Sequence, residues 1–497
     1  MVSTAISPAA VARVVGIETE FVNLRGGIAF LPQQIAVVGQ GSTASTYPLE
    51  KTRVFSEAEA GRVYGYGSPI HLAVRELLPP IGEGVGVVPV HILPLEDDES
   101  GVAAEGSIVP DDTTLPASEA ESYRVVVAGI ESEQFVIDEG DDLSSAVTKM
   151  AEAINAVLSM PVTATANTTS GSEAVELEAK WAGESGNAIT LSVSGGDAVE
   201  FTITDMTGGL VNPSVQPALD MIGESNWITW IVNCLNYDDT DALDALDTFG
   251  ESRWDPLVKK PLAAAVRGSS ETSVATAISV SETRTTDRTN AQVNVEGSPM
   301  YPAAIAGAAV ARAAVLANNN PPHDYGSQPM RRITRGAESE EWSYTERDAA
   351  VKGGVSTTEI KDGTVNLSDL VTHYAPEGEV PPAYRYVVDT VKNQQVIFNY
   401  DLEFNTPKWD GAPLVPDGQA TTNPDAKKPS TAKAAIAQIL DSLGSNAIIS
   451  DPDTAKENTQ AQIDSQNPKR LNVKSTIQLA GNSNIRSITN EFGFFFG

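Results

Sequence analysis

The chain is poor in the residues that carry most enzymatic and metal chemistry, with one cysteine and four histidines among 497 residues. Cys234 lies in the apolar run Trp227–Leu235 and has no partner for an intrachain disulfide, so stapled-scaffold and multi-cysteine zinc architectures are excluded. A buried, inert thiol is expected. No stretch approaches the ~20 uninterrupted apolar residues of a spanning helix, and Met1–Gly16 lacks a basic start followed by an apolar run. Neither membrane insertion nor an export signal is expected, and folding in a cytoplasm is. Basic residues are scarce too, 33 against 66 acidic ones, for a net charge of −33. Phosphate neutralisation needs clustered lysine and arginine, so nucleic acid is a poor direct partner. The same charge opposes self-association, and any polymer must be held by specific contacts that overcome the repulsion.

What is present is ordinary globular material, 41% hydrophobic and 20% charged, in a chain long enough for roughly two to four domains. Arg13–Val22 places Val15, Ile17, Thr19 and Phe21 on one side at period two, and Gly26-Gly27 makes a turn before the apolar run Ile35–Val38. Ser56 with Glu59 has capping-box spacing, and Ser68-Pro69 opens a second helix with Ile70, Ala73, Val74 and Leu77 on one face. Val85–Leu95 then reads as a strand covered on both faces. From Glu96 to Asp205 there are 23 acidic residues and three basic ones, with strands expected at Tyr123–Ile130, Gln134–Ile137, Ala174–Trp181, Ala188–Val193 and Val199–Ile203 and a helix at Leu143–Leu158. That is the pattern of an inserted, strand-rich domain. Beyond Thr207 the strand-helix alternation resumes with Trp227–Leu235, Asp239–Gly250 and Leu262–Val266, and alternation of this kind implies a mostly parallel sheet. Ser298–Asn318 has one charge, Arg312, and reads as a buried helix. Asp389–Phe404 and Thr431–Leu443 are the expected helices of a last region.

The fold class expected is therefore multidomain α/β. The boundaries fall at an arm (1–24), a first part of the α/β core (25–95), the acidic insertion (96–206), the rest of the core (207–380) and a C-terminal α+β domain (381–497). Its end alternates. Leu471, Val473, Ile477 and Leu479 share one side of Arg470–Ala480, Ile485 and Ile488 follow, and the chain finishes on Phe492, Phe494, Phe495 and Phe496. Free ends normally carry polar sequence, so two apolar ends each need a sheet to join. They can pair within one molecule or complete a neighbour's sheet by strand addition.

Catalytic readings fare poorly. His71 sits near the start of a helix, His91 in a buried strand, and His323 and His373 in loops, and no nucleophile elbow accompanies any of them. Gly65-Tyr66-Gly67-Ser68-Pro69 is better explained as a turn with a capping serine. No His-x-x-x-His pair exists, and the aspartates at 97–98, 111–112 and 141–142 lack calcium-loop spacing. Gly82-x-Gly84-x-Gly86 precedes a strand, which is wrong for a phosphate loop. No catalytic, cofactor or metal residue is assigned, and the competing classes are an α/β hydrolase and a non-contractile surface adhesin.

Several stretches resemble the Mu-like tail sheath family: YGYGSPIHLAVRELLPP with GVGVVPVHILPL, EAINAVLSMPVTATA with EAKWAGESGNAITL, YPAAIAGAAVARAAV, and VNLSDLVTHYAP near Val365. The resemblance implies a contractile-tail structural subunit and no enzyme. It implies a core of subtilisin-like topology, an outward insertion and a tube-facing C-terminal domain. The terminal arms, here Val15, Ile17, Thr19 and Phe21 and then Leu471, Val473, Ile477, Leu479, Ile485 and Ile488, would join sheets in neighbouring copies. The implied partners are further copies of the chain, the tail tube protein, and baseplate and tail terminator proteins, in a virion tail. Lys392 and Lys408 are candidates for tube contact, with ordinary solvated lysines as the alternative.

Overall fold

The computed structural model describes residues 29–377 and 384–492. The N-terminal arm residues Val15, Ile17, Thr19 and Phe21, and the closing Phe494–Phe496, lie outside them. The described residues form two compact units, a larger one of residues 30–401 with the segment from Leu479 on, and a smaller one of residues 402–478.

The larger unit is built on a six-stranded sheet. Its order is Asn290–Asn294, Ala264–Ser269, Trp230–Asn233, Ile35–Gln40, Val90–Leu95 and Thr52–Val54, five strands parallel and the last antiparallel. Alternate residues face opposite sides. Ile35, Val37, Val90, Ile92, Trp230 and Val232 join one apolar cluster, whereas Ala36, Val38, Leu93, Leu95 and Ile231 join another. The first face is covered by helices Pro69–Leu77 and Pro302–Asn319, and the second by Gln216–Asp220 and Thr240–Arg253. Burial on both faces is why these strands read as continuous apolar runs.

Caps behave as the sequence implies. Ser56 and Ser68 accept from the amides of Glu59 and His71, and Pro69 takes the first helical position. Three differences are informative. The strand expected at Val85–Leu95 begins only at Val90, because Val85 turns back to donate to the Leu77 carbonyl and Val87 is 83% exposed. Asn290–Asn294 (NAQVN) is a strand that no hydrophobic pattern announces, yet all five residues are buried. It is held by polar packing: Asn294 Oδ1 accepts from Ser269 Oγ at 2.8 Å, and Gln292 Nε2 donates to Ser269 Oγ at 2.9 Å. Ala103–Pro110 and Val162–Asn167 are also strands not foreseen.

Residues 96–206 carry two four-stranded antiparallel sheets within the larger unit, one of Glu121–Val127, Ile130–Glu131, Phe135–Ile137 and Leu191–Gly195, the other of Phe201–Thr207, Ala103–Pro110, Ala174–Ala182 and Val162–Asn167. Helix Leu143–Asn155 packs on both. Their apolar interior is continuous with the face under Pro302–Asn319. Trp181 stacks edge-on against Tyr301 at 5.4 Å, and Tyr301 Oη donates to the Ser185 carbonyl at 3.3 Å.

The smaller unit packs helix Pro429–Ser445 through Ala432, Ile436, Leu440 and Leu443. Its partners are helix Pro452–Glu457 and a ribbon of Gln460–Ile463 with Leu471–Lys474. The expected continuous strand over Arg470–Ala480 is broken: Leu471–Lys474 and Gln478–Leu479 are separate short strands.

Gly307 is the close-approach point between the two helices on the first face, where an added Cβ would lie 2.6 Å from the Ala73 carbonyl oxygen. Gly→Ala in a helix normally stabilises by ~1 kcal/mol. Here the backbone cannot yield as a side chain would, so Gly307→Ala is expected to cost about 1–3 kcal/mol, read as a lower midpoint in thermal or urea unfolding.

Candidate assembly segment and the buried polar cluster

Leu471 and Val473 pair antiparallel with Ile463 and Ala461 of the same chain, half-buried. Ile477 and Leu479 are half-buried as well. Ile485 and Ile488, by contrast, are 86% and 88% exposed, and Phe492 is 87% exposed. Every residue from Ser483 to Phe492 is exposed and outside any strand or helix. The assigned C-terminal residues therefore fall into two groups, one placed in or beside a fold and one carrying large apolar side chains into solvent. Among the described residues this ribbon has two strands, and a two-stranded ribbon is marginal on its own.

The lysines separate in the same way. Lys408 is exposed and pairs with Glu403 at 2.6 Å. Lys392 is neither solvated nor open to a partner, because its side chain is 0% exposed. Sequence reading missed this, since helix Val387–Phe404 carries its charge among polar neighbours, and only the packed structure shows which face is covered.

A group of ionisable side chains that could suggest catalysis lies beside the Ala264–Ser269 and Asn290–Asn294 strands. Arg267 donates to His373 Nε2 at 2.9 Å, and His373 Nδ1 lies 2.9 Å from the Gly354 carbonyl. That geometry fixes the neutral tautomer with the proton on Nδ1. Asp287 accepts from Asn290 Nδ2 at 2.8 Å and Arg284 Nε at 3.2 Å. Burial and the Asp287 carboxylate raise Asp247 to about 7. Yet Arg267, Asp287 and His373 are 1%, 2% and 0% exposed, so the group is sealed inside the wall. It braces the sheet against the Gly353-Gly354 turn.

The remaining histidines are likewise placed structurally. His71 is buried, accepts at Nδ1 from the Gly67 amide at 3.1 Å and faces Glu57 at 3.5 Å, while Ser68 Oγ is engaged as a cap. His91 is held near 4 by burial and then by Lys51 and Arg53. His323 is exposed in its turn, with Nδ1 2.6 Å from the Asp324 carbonyl. Cys234 is buried, and burial pushes its thiol up. Among the described residues no group of three or more His, Cys, Asp or Glu side chains is arranged to hold a metal, and no helix is long and apolar enough to cross a membrane.

The described residues thus present a sheet covered on both faces, a buried polar cluster and an apolar segment left in solvent. The chain is similar to the Mu-like prophage FluMu tail sheath protein of Haemophilus influenzae, at 29% identity over 222 residues. The match covers 44% of this chain and 42% of the relative, less than half the length of either. No family model matches. Solved structures similar to the chain include the sheath tail protein of Desulfitobacterium hafniense (12% identical, 94% of this chain and 97% of that one, TM-score 0.46) and that of Listeria innocua (12%, 92% and 94%, 0.48). A chain of the anti-feeding prophage baseplate gives 8% identity, 97% and 100% coverage and a TM-score of 0.49.

His373 has its folded pKa lowered to about 3, by burial first and Arg267 second, against about 6.5 in an unfolded chain. Between those values the unfolded chain takes up the proton and the native one does not, so stability is full above pH ~6.5 and is lost as pH falls toward ~3. Asp247 works in the opposite sense, its native neutral form losing advantage as pH rises through about 7. His373→Gln keeps an acceptor for Arg267 and a donor for Gly354. It is expected to flatten the acid limb by up to ~1.4 kcal/mol per pH unit in urea unfolding at pH 4 against pH 7; an unchanged slope contradicts the assignment.

Proposed function

We propose that this chain is the subunit of a contractile tail sheath, a non-enzymatic structural protein that polymerises around a tail tube and drives it forward by repacking. The observation that carries the reading is the 222-residue similarity to a Mu-like tail sheath protein. The exposed apolar segment from Ser483 onward supports it, because solvent is a poor place for Ile485, Ile488 and Phe492 unless another chain covers them. The ribbon of Gln460–Ile463 with Leu471–Lys474 has two strands among the described residues, and a sheet that narrow is of the kind strand addition extends. In this reading Val15, Ile17, Thr19 and Phe21 form the other shared arm, and partners are further copies, the tube, and baseplate and terminator proteins of a virion tail.

The finer architecture belongs to the same proposal. The layered α/β region takes the part of a subtilisin-like core (25–95 and 207–380), residues 96–206 face outward, and residues 381–497 face the tube. An outer position suits the acidic insertion, since like charges on adjacent copies stay hydrated there and are screened beyond ~8–10 Å. Work needs no nucleotide. If the extended polymer is kinetically trapped and the contracted one buries more apolar surface, ~25 cal/mol per Å² summed over many copies gives an irreversible drive from small gains per subunit. The subunits move as rigid bodies about their arms.

Truncation tests this directly. Ending the chain after Asn482 removes the exposed segment while leaving the Leu471–Lys474 ribbon intact. The truncated protein is expected to keep its unfolding midpoint and its monomer sedimentation but to form no tubes or stacked rings by negative-stain microscopy, where the full chain does. Sheaths of normal appearance from the truncated chain would refute the arm.

A further inference from the structure

A lysine with no exposed surface needs all three of its N–H donors satisfied and its charge balanced, or the fold bears the desolvation of an ammonium. Lys392 meets both conditions in one way. Nζ donates to Asp389 Oδ1 at 2.8 Å, one turn earlier on its own helix, which supplies the negative charge. The other two acceptors come from far along the chain: the Ala480 carbonyl at 2.6 Å and Asn482 Oδ1 at 2.6 Å. Asn482 is fixed in turn, its Nδ2 donating to the Pro322 carbonyl at 2.8 Å. Burial ends at that residue. Ala480 and Asn482 are half-buried, and every described residue after Asn482 is exposed.

We infer that Lys392 is a clasp for the C-terminal arm, a positioning residue that fixes the point at which the arm leaves its subunit. Two of the three hydrogen bonds from this ammonium hold Ala480 and Asn482 against helix Val387–Phe404, and the third ties it to Asp389 of that helix. The ten described residues beyond, carrying Ile485, Ile488 and Phe492, begin their reach from a set origin. The chemistry suits the task. An ammonium whose donors are all used by the chain's own oxygens gains nothing from hydration until the arm is pulled away, so the clasp is closed in the free subunit and opens as a unit. The clasp rests on the sheath reading only for its purpose, since its existence is a property of the single chain.

Reductive methylation of the intact monomer, with mass-spectrometric readout at each lysine, tests the clasp without any polymer. Lys392 is expected to react at least about tenfold more slowly than exposed Lys474, equivalent to about 1.4 kcal/mol in favour of the closed form. Truncation after Leu479, or Asn482→Ala in the full chain, should bring Lys392 toward the rate of Lys474. Equal rates in the intact monomer, or no gain in either variant, overturn the clasp. The positioning role is read from Lys392→Met. A nitroxide on Ser483→Cys, with buried Cys234 unreactive, should become several-fold more mobile, and tube yield should fall about tenfold at an unchanged unfolding midpoint. Tubes in normal yield, or a loss only in step with a falling midpoint, overturn that role. If Lys392 is protected and released as described while the full chain never forms tubes, the sheath reading fails and the clasp stands.

Discussion

The main sheet is five parallel strands buried on both faces, and much of the molecule follows from that. A parallel strand cannot leave a face in water, so helices must cover each side, and Pro302–Asn319 does so with twelve buried residues, mostly alanines, and the Gly307 contact. Covering both faces buries the apolar residues of the sheet itself. Large apolar side chains that stay uncovered are scattered singly over the rest of the molecule, as at Ile81, Val87 and Leu257, whereas Ile485, Ile488 and Phe492 stand in solvent together on one exposed segment.

Charge sharpens the point. At −33 per copy, subunits brought side by side repel. Diffuse surface contact is a poor means of overcoming that, because exposed ion pairs contribute at most ~1 kcal/mol each and salt screens them. Main-chain pairing between a strand of one copy and the ribbon of another is indifferent to side-chain charge and is directional. A segment that starts from a clasped origin meets its partner with fewer alternatives to lose. The sealed Arg267, His373 and Asp287 group belongs to the same economy, with polar side chains fixing how the Asn290–Asn294 edge meets the Gly353-Gly354 turn.

The apolar elements were legible in the sequence. Ile35–Val38, Trp227–Leu235 and the alanine-rich helix follow from hydrophobic runs and period, and Ser56, Ser68 and Pro69 mark helix starts by capping chemistry. Elements stabilised by polar contacts were not. Asn290–Asn294 carries no hydrophobic signature, and its burial depends on Ser269 and Glu271 from another segment. At the C-terminal end, alternation over Arg470–Ala480 reads as one strand, yet Ser475–Ile477 interrupts it. Lys392 was the hardest case, since its three acceptors include two from residues 88 and 90 positions away. No local pattern can announce such a pairing.

A helical reconstruction of the polymer formed by the full-length chain, at a resolution that traces main chain, addresses the central claim most directly. The account predicts that residues 483–492 of each copy run across the subunit boundary and lie as a strand beside the ribbon of a neighbour. A polymer in which those residues turn back onto their own copy, in extended and contracted forms alike, contradicts it.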